Sequence, residues 1–115
     1  NAISRHEPGA VWVNNQRFDG SLLVPWKGEV RAWSALDHAT LTAEHFQQVL
    51  ALRPELVIFG SGARLRFISA ALYRSLIDAR IGLETMDTAA ACRTYNVLAA
   101  EGRSVVAALL PGSVD

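Results

Sequence analysis

The stretch from Glu84 to Leu110, ETMDTAAACRTYNVLAAEGRSVVAALL, constrains the fold more than any other part of the chain. Asp87 or Thr88 can cap a helix by accepting a free amide hydrogen bond. Gly102 can adopt the left-handed conformation that closes the same helix. The pattern therefore predicts a strand end, a helix and a final strand from Ser104 to Leu110, with no slack between them.

A strand-helix-strand unit precedes this stretch. Residues Glu55 to Gly60, ELVIFG, form a short apolar run after Pro54, which is typical of a central strand covered on both faces. Apolar residues at helical spacing predict a helix over Ser69 to Ala79, followed by a strand over Leu83 to Met86. Two successive β-α-β crossovers require parallel pairing, so we expect a small parallel sheet.

The N-terminal third has the alternation of antiparallel strands. Val11 to Phe18 and Leu22 to Trp26 flank Asp19-Gly20, a dipeptide that accepts a tight type I′ turn, so we expect a β-hairpin. A third short strand is expected over Glu29 to Trp33. A helix over Thr42 to Leu52 follows and ends before a proline.

These elements predict an α/β fold with a small central parallel sheet, flanking helices and an N-terminal antiparallel β-hairpin layer, in a β/β/α-like three-layer arrangement. The length of 115 residues suits a single domain over residues 1–115. The last predicted helix has little polar surface. Either the hairpin layer or a second copy of the chain covers it, so a homodimer is a secondary expectation.

Composition excludes several classes of protein. Eleven basic and eleven acidic residues cancel, which argues against a nucleic-acid partner. The single cysteine, Cys92, cannot form an internal disulfide, which favours a reducing compartment. No window approaches the ~20 apolar residues of a transmembrane segment, and the first residues lack a signal-peptide core. We therefore expect a cytoplasmic protein without a transmembrane segment.

A candidate binding loop follows the predicted central strand. Gly60, Ser61 and Gly62 come at its carboxyl end, where open α/β sheets place ligand crevices, and Arg64 and Arg66 follow directly. A phosphate or carboxylate is the ligand that such a loop favours. The loop matches neither the dinucleotide-binding nor the P-loop pattern, and the alternative is a tight structural turn with solvated arginines.

A second candidate set lies around the end of the last predicted helix. Tyr95, Asn96, Glu101 and Arg103 offer a phenol, an amide, a carboxylate and a guanidinium, which together can bind a polar ligand or a partner's backbone. The alternative is structural. In that case Tyr95 fills the core, Asn96 holds a loop, and Glu101 pairs with Arg103 or another arginine.

Residue spacing indicates neither a catalytic site nor a metal or cofactor site. His6, His38 and His45 form no i, i+4 pair and have no cysteine at metal-binding spacing. Asp37 beside His38 is weak evidence for a catalytic pair, because triads assemble in space rather than in sequence. The stripe position of Cys92 favours a buried core residue over a reactive thiol.

The chain resembles a domain-of-unknown-function family of the Mth type. The resemblance covers nearly the whole chain, and its matching positions are Gly60, Gly62, Thr88, Ala91, Thr94, Tyr95, Asn96, Leu98, Glu101 and Arg103. The family includes the mitochondrial NADH:ubiquinone oxidoreductase complex assembly factor 3, an adipogenesis-associated protein and many small bacterial and archaeal proteins. Here Ser61 stands where the family often has threonine. The chain is similar to the bacterial members.

The resemblance implies a compact β/α domain and, for the mitochondrial member, a role in assembling respiratory complex I at a membrane. We therefore expect a non-catalytic interaction module that assists assembly or stability of a respiratory or other membrane protein complex, with subunits of that complex as partners. The alternative is a small anionic-ligand binder or minor enzyme that uses the crevice after Gly60. A third hypothesis is a dimeric scaffold without a ligand.

Overall fold

The N-terminal residues form a small antiparallel sheet. The computed structural model describes residues 1–112, and its first three strands are β1 (Ile3–Glu7), β2 (Ala10–Val13) and β3 (Gln16–Asp19). They pair in the order β1-β2-β3. An N-terminal antiparallel layer was predicted, but its strands differ from those expected. The strand predicted over residues 11–18 forms both β2 and β3, and β1 was not predicted.

The remaining strands form one five-stranded sheet. They are β4 (Leu22–Pro25), β5 (Arg31–Ala32), β6 (Leu56–Gly60), β7 (Gly82–Met86) and β8 (Val105–Leu109). Their order is β5-β4-β8-β6-β7, and β6 pairs in parallel with both β7 and β8. Because β4 pairs antiparallel with β8 and with β5, the sheet is mixed, with the predicted parallel part at one end. The α/β class is confirmed.

The helices lie on both faces of the five-stranded sheet. They are α1 (Ala43–Leu50), α2 (Arg74–Asp78) and α3 (Thr88–Ala100), with a short 3₁₀ helix at His38–Thr40. None of the helices formed by residues 1–112 is long and apolar enough to cross a bilayer.

The core divides into two halves because alternate residues of a strand point to opposite faces. Val24, Ile58 and Ala107 pack with α3 and the three-stranded sheet on one face. Val57 and Phe59 pack with α1 and α2 on the other. The result is three layers, with the parallel strands in the middle one.

The ends of α3 follow the sequence prediction. Asp87 caps the helix, because its Oδ1 accepts the Ala90 amide at 2.9 Å. Gly102 closes it with a φ of +82°. The buried residues Ala91, Cys92 and Tyr95 lie on the stripe that the sequence assigned to the core. The three-stranded sheet contributes to the same cluster and so covers part of this helix.

The predicted hairpin at Asp19-Gly20 is wrong. The tight turn lies instead at Asn14 and Asn15, whose φ angles of 51° and 68° are left-handed, and it joins β2 to β3. Gly20, with a φ of +78°, carries the chain from one sheet to the other. Asparagine tolerates the left-handed region, so the Asn-Asn pair competes with Asp-Gly as a turn signal.

Candidate functional site

The Gly60–Gly62 loop leaves β6 between two neighbouring strands. The Ser61 amide donates to the Met86 carbonyl at 2.9 Å, and the Leu110 amide donates to the Gly60 carbonyl at 2.9 Å. Backbone hydrogen bonds to β7 and to the residue that follows β8 thus continue to the end of β6 and into the loop. The loop is held at the carboxyl edge of the parallel strands, as the sequence predicted.

Thr88, the first residue of α3, joins this loop to the end of β8. Its Oγ1 accepts the Gly62 amide at 2.9 Å and donates to the Leu110 carbonyl at 2.8 Å. The Thr88 amide donates to the Gly62 carbonyl at 2.9 Å. The side chain is buried, so one hydroxyl satisfies two backbone groups that water does not reach.

Close packing explains the first glycine, and backbone conformation explains the second. A Cβ on Gly60 would lie 3.0 Å from Thr88 Oγ1 and 3.0 Å from Leu109 Cδ2. Gly62 has a φ of +106°, a backbone angle that residues other than glycine rarely adopt. The approach of α3 therefore favours glycine at position 60, and the turn that follows β6 favours glycine at position 62.

The Ser61 hydroxyl is occupied as well. It lies 2.7 Å from the Arg64 carbonyl, to which it donates, and accepts the Arg66 amide at 3.0 Å. Both bonds close the loop on itself. Because the Ser61 hydroxyl and the Gly62 amide are bonded inside the protein, the geometry agrees with the structural-turn alternative.

A large cavity lies beside Gly62 and has a volume of about 450 Å³. Its charged or titratable walls come from β1 and the start of α3, as His6, Glu7 and Asp87. Neither Arg64 nor Arg66 lines it. Two carboxylates disfavour an anion by like-charge repulsion, so this space suits a neutral or cationic molecule better than the predicted phosphate or carboxylate.

Arg66 lines a different and much smaller cavity. This space has a volume of about 60 Å³ and lies between the Gly60–Gly62 loop and the segment that holds Leu36, Asp37 and His38. Ligand pockets measure roughly 300–1,000 Å³, so it is too small for most metabolites. Arg66 therefore lines a different space from His6, Glu7 and Asp87.

Tyr95 and Asn96 make structural contacts far from the loop. The Tyr95 side chain is fully buried, and its hydroxyl donates to the Pro25 carbonyl at 2.8 Å. Burial raises the pKa of Tyr95 to about 12. Asn96 Oδ1 accepts the Ile3 amide and its Nδ2 donates to the Ile3 carbonyl, each at 2.8 Å, which ties β1 to α3.

Glu101 and Arg103 lie at the opposite end of α3 from the Gly60–Gly62 loop. A helix of 13 residues is about 20 Å long, so the two ends cannot share one small ligand. Arg103 pairs with Glu55 at 3.4 Å across the surface. The structure therefore does not bring Arg103 or Tyr95 together with the glycine loop.

Sequence reasoning placed Gly62 at the candidate site but missed the charged and titratable residues that line the large cavity. His6 and Glu7 were not expected there because β1 was not predicted, and Asp87 was considered only as a helix cap. The Pro8-Gly9 pair after Glu7 is the turn signal that would have indicated a strand before it. Thr88 was considered as a cap and as a position of the family match, but not as a residue of this cavity.

Other chemistry-bearing groups are dispersed or buried. Within residues 1–112, no three histidine, cysteine, aspartate or glutamate side chains are grouped to hold a metal ion. Cys92 is buried, and burial raises its pKa to about 11. Its thiol is therefore protonated and shielded at neutral pH.

Residues 3–110 match the family described as protein of unknown function (DUF498/DUF598). The chain belongs to this family. The family resemblance predicted from the sequence is confirmed. The human protein named NADH dehydrogenase [ubiquinone] 1 alpha subcomplex assembly factor 3 is 33% identical over 112 residues, which cover 95% of this chain. The chain spans 60% of the length of the human protein and 56% of its bovine counterpart.

Two solved structures share the fold of this chain. A crystal structure of a Bordetella parapertussis protein superposes with a TM-score of 0.91 at 39% identity, covering 96% of this chain and 95% of that one. A solution structure from Bordetella pertussis, described as a Mth938-like domain, gives a TM-score of 0.87 at 32% identity. It covers 98% of this chain and 87% of that one. The three-layer arrangement is therefore shared with both of these solved structures.

Proposed function

We propose that this chain is a non-catalytic interaction module that assists assembly or stability of a respiratory or other membrane protein complex. The observation that carries the proposal is the homology to a complex I assembly factor over 95% of the chain. The geometry supports it, because the hydroxyls of Ser61 and Thr88 serve the backbone rather than an open catalytic centre.

The outward stripe of α3 is the docking face that the proposal assigns to a complex subunit. Arg93, Val97 and Ala100 are exposed at i, i+4 and i+7, so they share one side of the helix. Val97 is 59% exposed, although it is a large apolar residue. The small side chain of Ala100 beside Val97 lets another helix approach closely at this end of the stripe. A second copy of this chain is the competing occupant.

Affinity capture from gently solubilised cells tests this proposal. Val97→Glu places a charge at the centre of the stripe and is expected to abolish enrichment of respiratory or other membrane-complex subunits. Gln47→Glu adds the same charge on α1, at an exposed position on the other face of the sheet, and is the matched control.

The outcomes separate three cases. Loss of subunits with Val97→Glu alone supports the proposal. Recovery of the wild-type chain with itself only, as a dimer that Val97→Glu dissociates in light scattering, replaces it by the homodimer. Equal capture by all three proteins, or capture of no membrane-complex subunit, contradicts it. The cytoplasmic location remains part of the proposal, and imaging of the tagged chain tests it.

The small-molecule alternative is favoured by one observation, the cavity beside Gly62. Its volume of about 450 Å³ falls within the ligand-pocket range. We expect a compact neutral or cationic ligand, since Glu7 and Asp87 line the space. Thermal-shift screening with primary amines and with small carboxylates checks the sign of the charge. Stabilisation by amines that Glu7→Gln weakens supports this function, and no stabilisation by either class removes it.

A further inference from the structure

Two loops at one edge of the molecule expose large apolar side chains. Leu65 and Phe67, in the segment that follows the Gly60–Gly62 loop, are 51% and 74% exposed. Leu36, before the 3₁₀ helix, is 75% exposed. These three are among only five large apolar side chains that residues 1–112 expose. Exposure on this scale costs free energy that contact with an apolar phase would return.

The two loops lie side by side. His38 Nε2 is 2.9 Å from the Phe67 carbonyl oxygen, and Leu36 and Arg66 line the same cavity of about 60 Å³. We call the set formed by Leu36, Arg64, Leu65 and Phe67 the basic apolar surface. Its three apolar members, Leu36, Leu65 and Phe67, are each at least half exposed.

Positive charge is concentrated in the same part of the chain. Residues 63–80 contain four arginines and one aspartate, a net charge of +3 in a chain whose total is zero. Arg64, Arg74 and Arg80 are exposed. Asp37, the carboxylate on the neighbouring loop, caps the 3₁₀ helix by accepting the Thr40 amide at 3.0 Å. Residues 63–80 together with Asp37 carry a net charge of +2.

We propose that the basic apolar surface binds the interface of an anionic lipid bilayer. Leu36, Leu65 and Phe67 enter the boundary between headgroups and acyl chains, where apolar side chains are buried. Arg64 meets lipid phosphates, and the net charge of residues 63–80 adds long-range attraction to the anionic surface. The chain is thereby held on a membrane without a spanning helix.

The surface fits a bilayer better than a protein. A protein partner's anchor residue needs a well-packed pocket, and the space between these loops measures only about 60 Å³. Protruding apolar side chains interleaved with arginines need no shaped partner in a fluid interface, because lipids rearrange around them. Binding to lipid does not depend on the proposed function, since it involves a different surface from the α3 stripe and no partner protein.

Sedimentation with vesicles tests the proposal on the full chain. Phosphatidylcholine vesicles with and without phosphatidylglycerol are compared at low and high salt. The wild type is expected to bind the anionic vesicles, and less strongly at high salt because the charges are screened. Phe67→Ser is expected to lower the partition coefficient at least about tenfold, because a large apolar side chain no longer enters the interface. Arg64→Gln is expected to lower binding and flatten its salt dependence.

Ile77→Ser is the matched control, since it removes an exposed apolar side chain from α2, outside the basic apolar surface. Circular dichroism verifies that each variant folds. Binding that Phe67→Ser reduces and Ile77→Ser preserves supports the proposal. Failure of the wild type to bind anionic vesicles overturns it, and equal loss in both variants overturns the assignment to these loops. If Phe67→Ser instead removes a captured protein and vesicle binding is absent, the surface is a protein-binding one.

Discussion

At the scale of single residues, the Thr88 side chain joins separate parts of the candidate site. Its hydroxyl bonds to the loop after β6 and to the segment after β8, while its amide bonds back to Gly62. These contacts hold together three elements that the sequence separates by more than 20 residues. Gly60 allows α3 to pack closely against the loop, and Gly62 allows the chain to turn after β6.

Replacement of Thr88 by valine is expected to lower the free energy of unfolding by roughly 2–5 kcal/mol, because two buried backbone groups lose their partner. Thr88→Ser keeps the hydroxyl and removes only a methyl group, so we expect a loss of about 1 kcal/mol. Urea denaturation measures both. Equal losses in the two variants would show that the hydroxyl bonds contribute nothing.

Two buried titratable groups predict the response to alkaline pH. Burial raises the pKa of Cys92 from 9.0 to about 11 and that of Tyr95 from 10.0 to about 12. Above pH 9 the unfolded chain releases protons that the folded chain still holds, so stability is complete below pH 9 and falls as pH rises. The expected slope is up to roughly 1.4 kcal/mol per pH unit for each group.

Substitutions of Cys92 and Tyr95 show how much each group contributes to the pH dependence of stability. Cys92→Ala should remove the loss of unfolding free energy that begins near pH 9. Tyr95→Phe should remove the part of that loss that begins near pH 10. At neutral pH, Tyr95→Phe should cost only about 1 kcal/mol, since the Pro25 carbonyl also accepts a bond from Asn1. Urea unfolding from neutral pH to about pH 11 checks this. Stability that is flat over this range in the wild type would contradict the assignment.

At the scale of elements, α3 connects the two sheets. Its buried stripe packs on the five-stranded sheet, and the paired hydrogen bonds of Asn96 hold the start of β1. Because β1 is an edge strand of a small sheet, this tie replaces part of the pairing that an inner strand would have. The hydrogen bonds of Asn96 thereby help to position His6 and Glu7, the residues of β1 that line the large cavity.

Asn96→Ala is expected to loosen β1 without unfolding α3. We expect a loss of roughly 1–3 kcal/mol, because both backbone groups of Ile3 lose a partner. Hydrogen exchange should accelerate in β1 and remain slow in α3. Arg103→Ala is the control, because its ion pair with Glu55 is close to half exposed and contributes at most about 1 kcal/mol. Uniform acceleration in both elements would mean that Asn96 supports the whole fold rather than this strand.

The C-terminal elements could be predicted because their signals are local. Asp87 and Gly102 delimit α3 through hydrogen bonds and a backbone angle within a few residues, and the apolar run up to Gly60 marks a buried strand. The N-terminal turn was misplaced because Asn-Asn and Asp-Gly both accept left-handed angles. Tertiary context decided between them, since only Asn14-Asn15 joins strands of one sheet.

The candidate site was only half predictable for a similar reason. The position of the Gly60–Gly62 loop follows from the strand before it. Helix length alone places Arg103 far from that loop, whereas the burial of Tyr95 against Pro25 depends on a contact between residues 70 positions apart. The charge of the large cavity depends on β1, which comes from a distant part of the chain.

At the scale of the whole molecule, the mixed sheet explains how a small chain makes three layers. The pairing of β4 with β8 joins the N-terminal and C-terminal halves, with Leu22 opposite Leu109. Nothing local in either strand specifies that partner, so the sequence predicted a purely parallel sheet. The arrangement leaves the α3 stripe and the basic apolar surface as separate exposed regions, which we assign to a protein partner and to a membrane.

The most direct test of the interaction role is complementation in cells that lack the gene. Assembled respiratory and other membrane complexes are quantified on native gels after expression of the wild type, Val97→Glu or Gln47→Glu. The account predicts fewer assembled complexes in the deletion strain, restored by the wild type and by Gln47→Glu but not by Val97→Glu. Unchanged complexes in the deletion strain would contradict the assembly function, and full restoration by Val97→Glu would contradict the role of the α3 stripe.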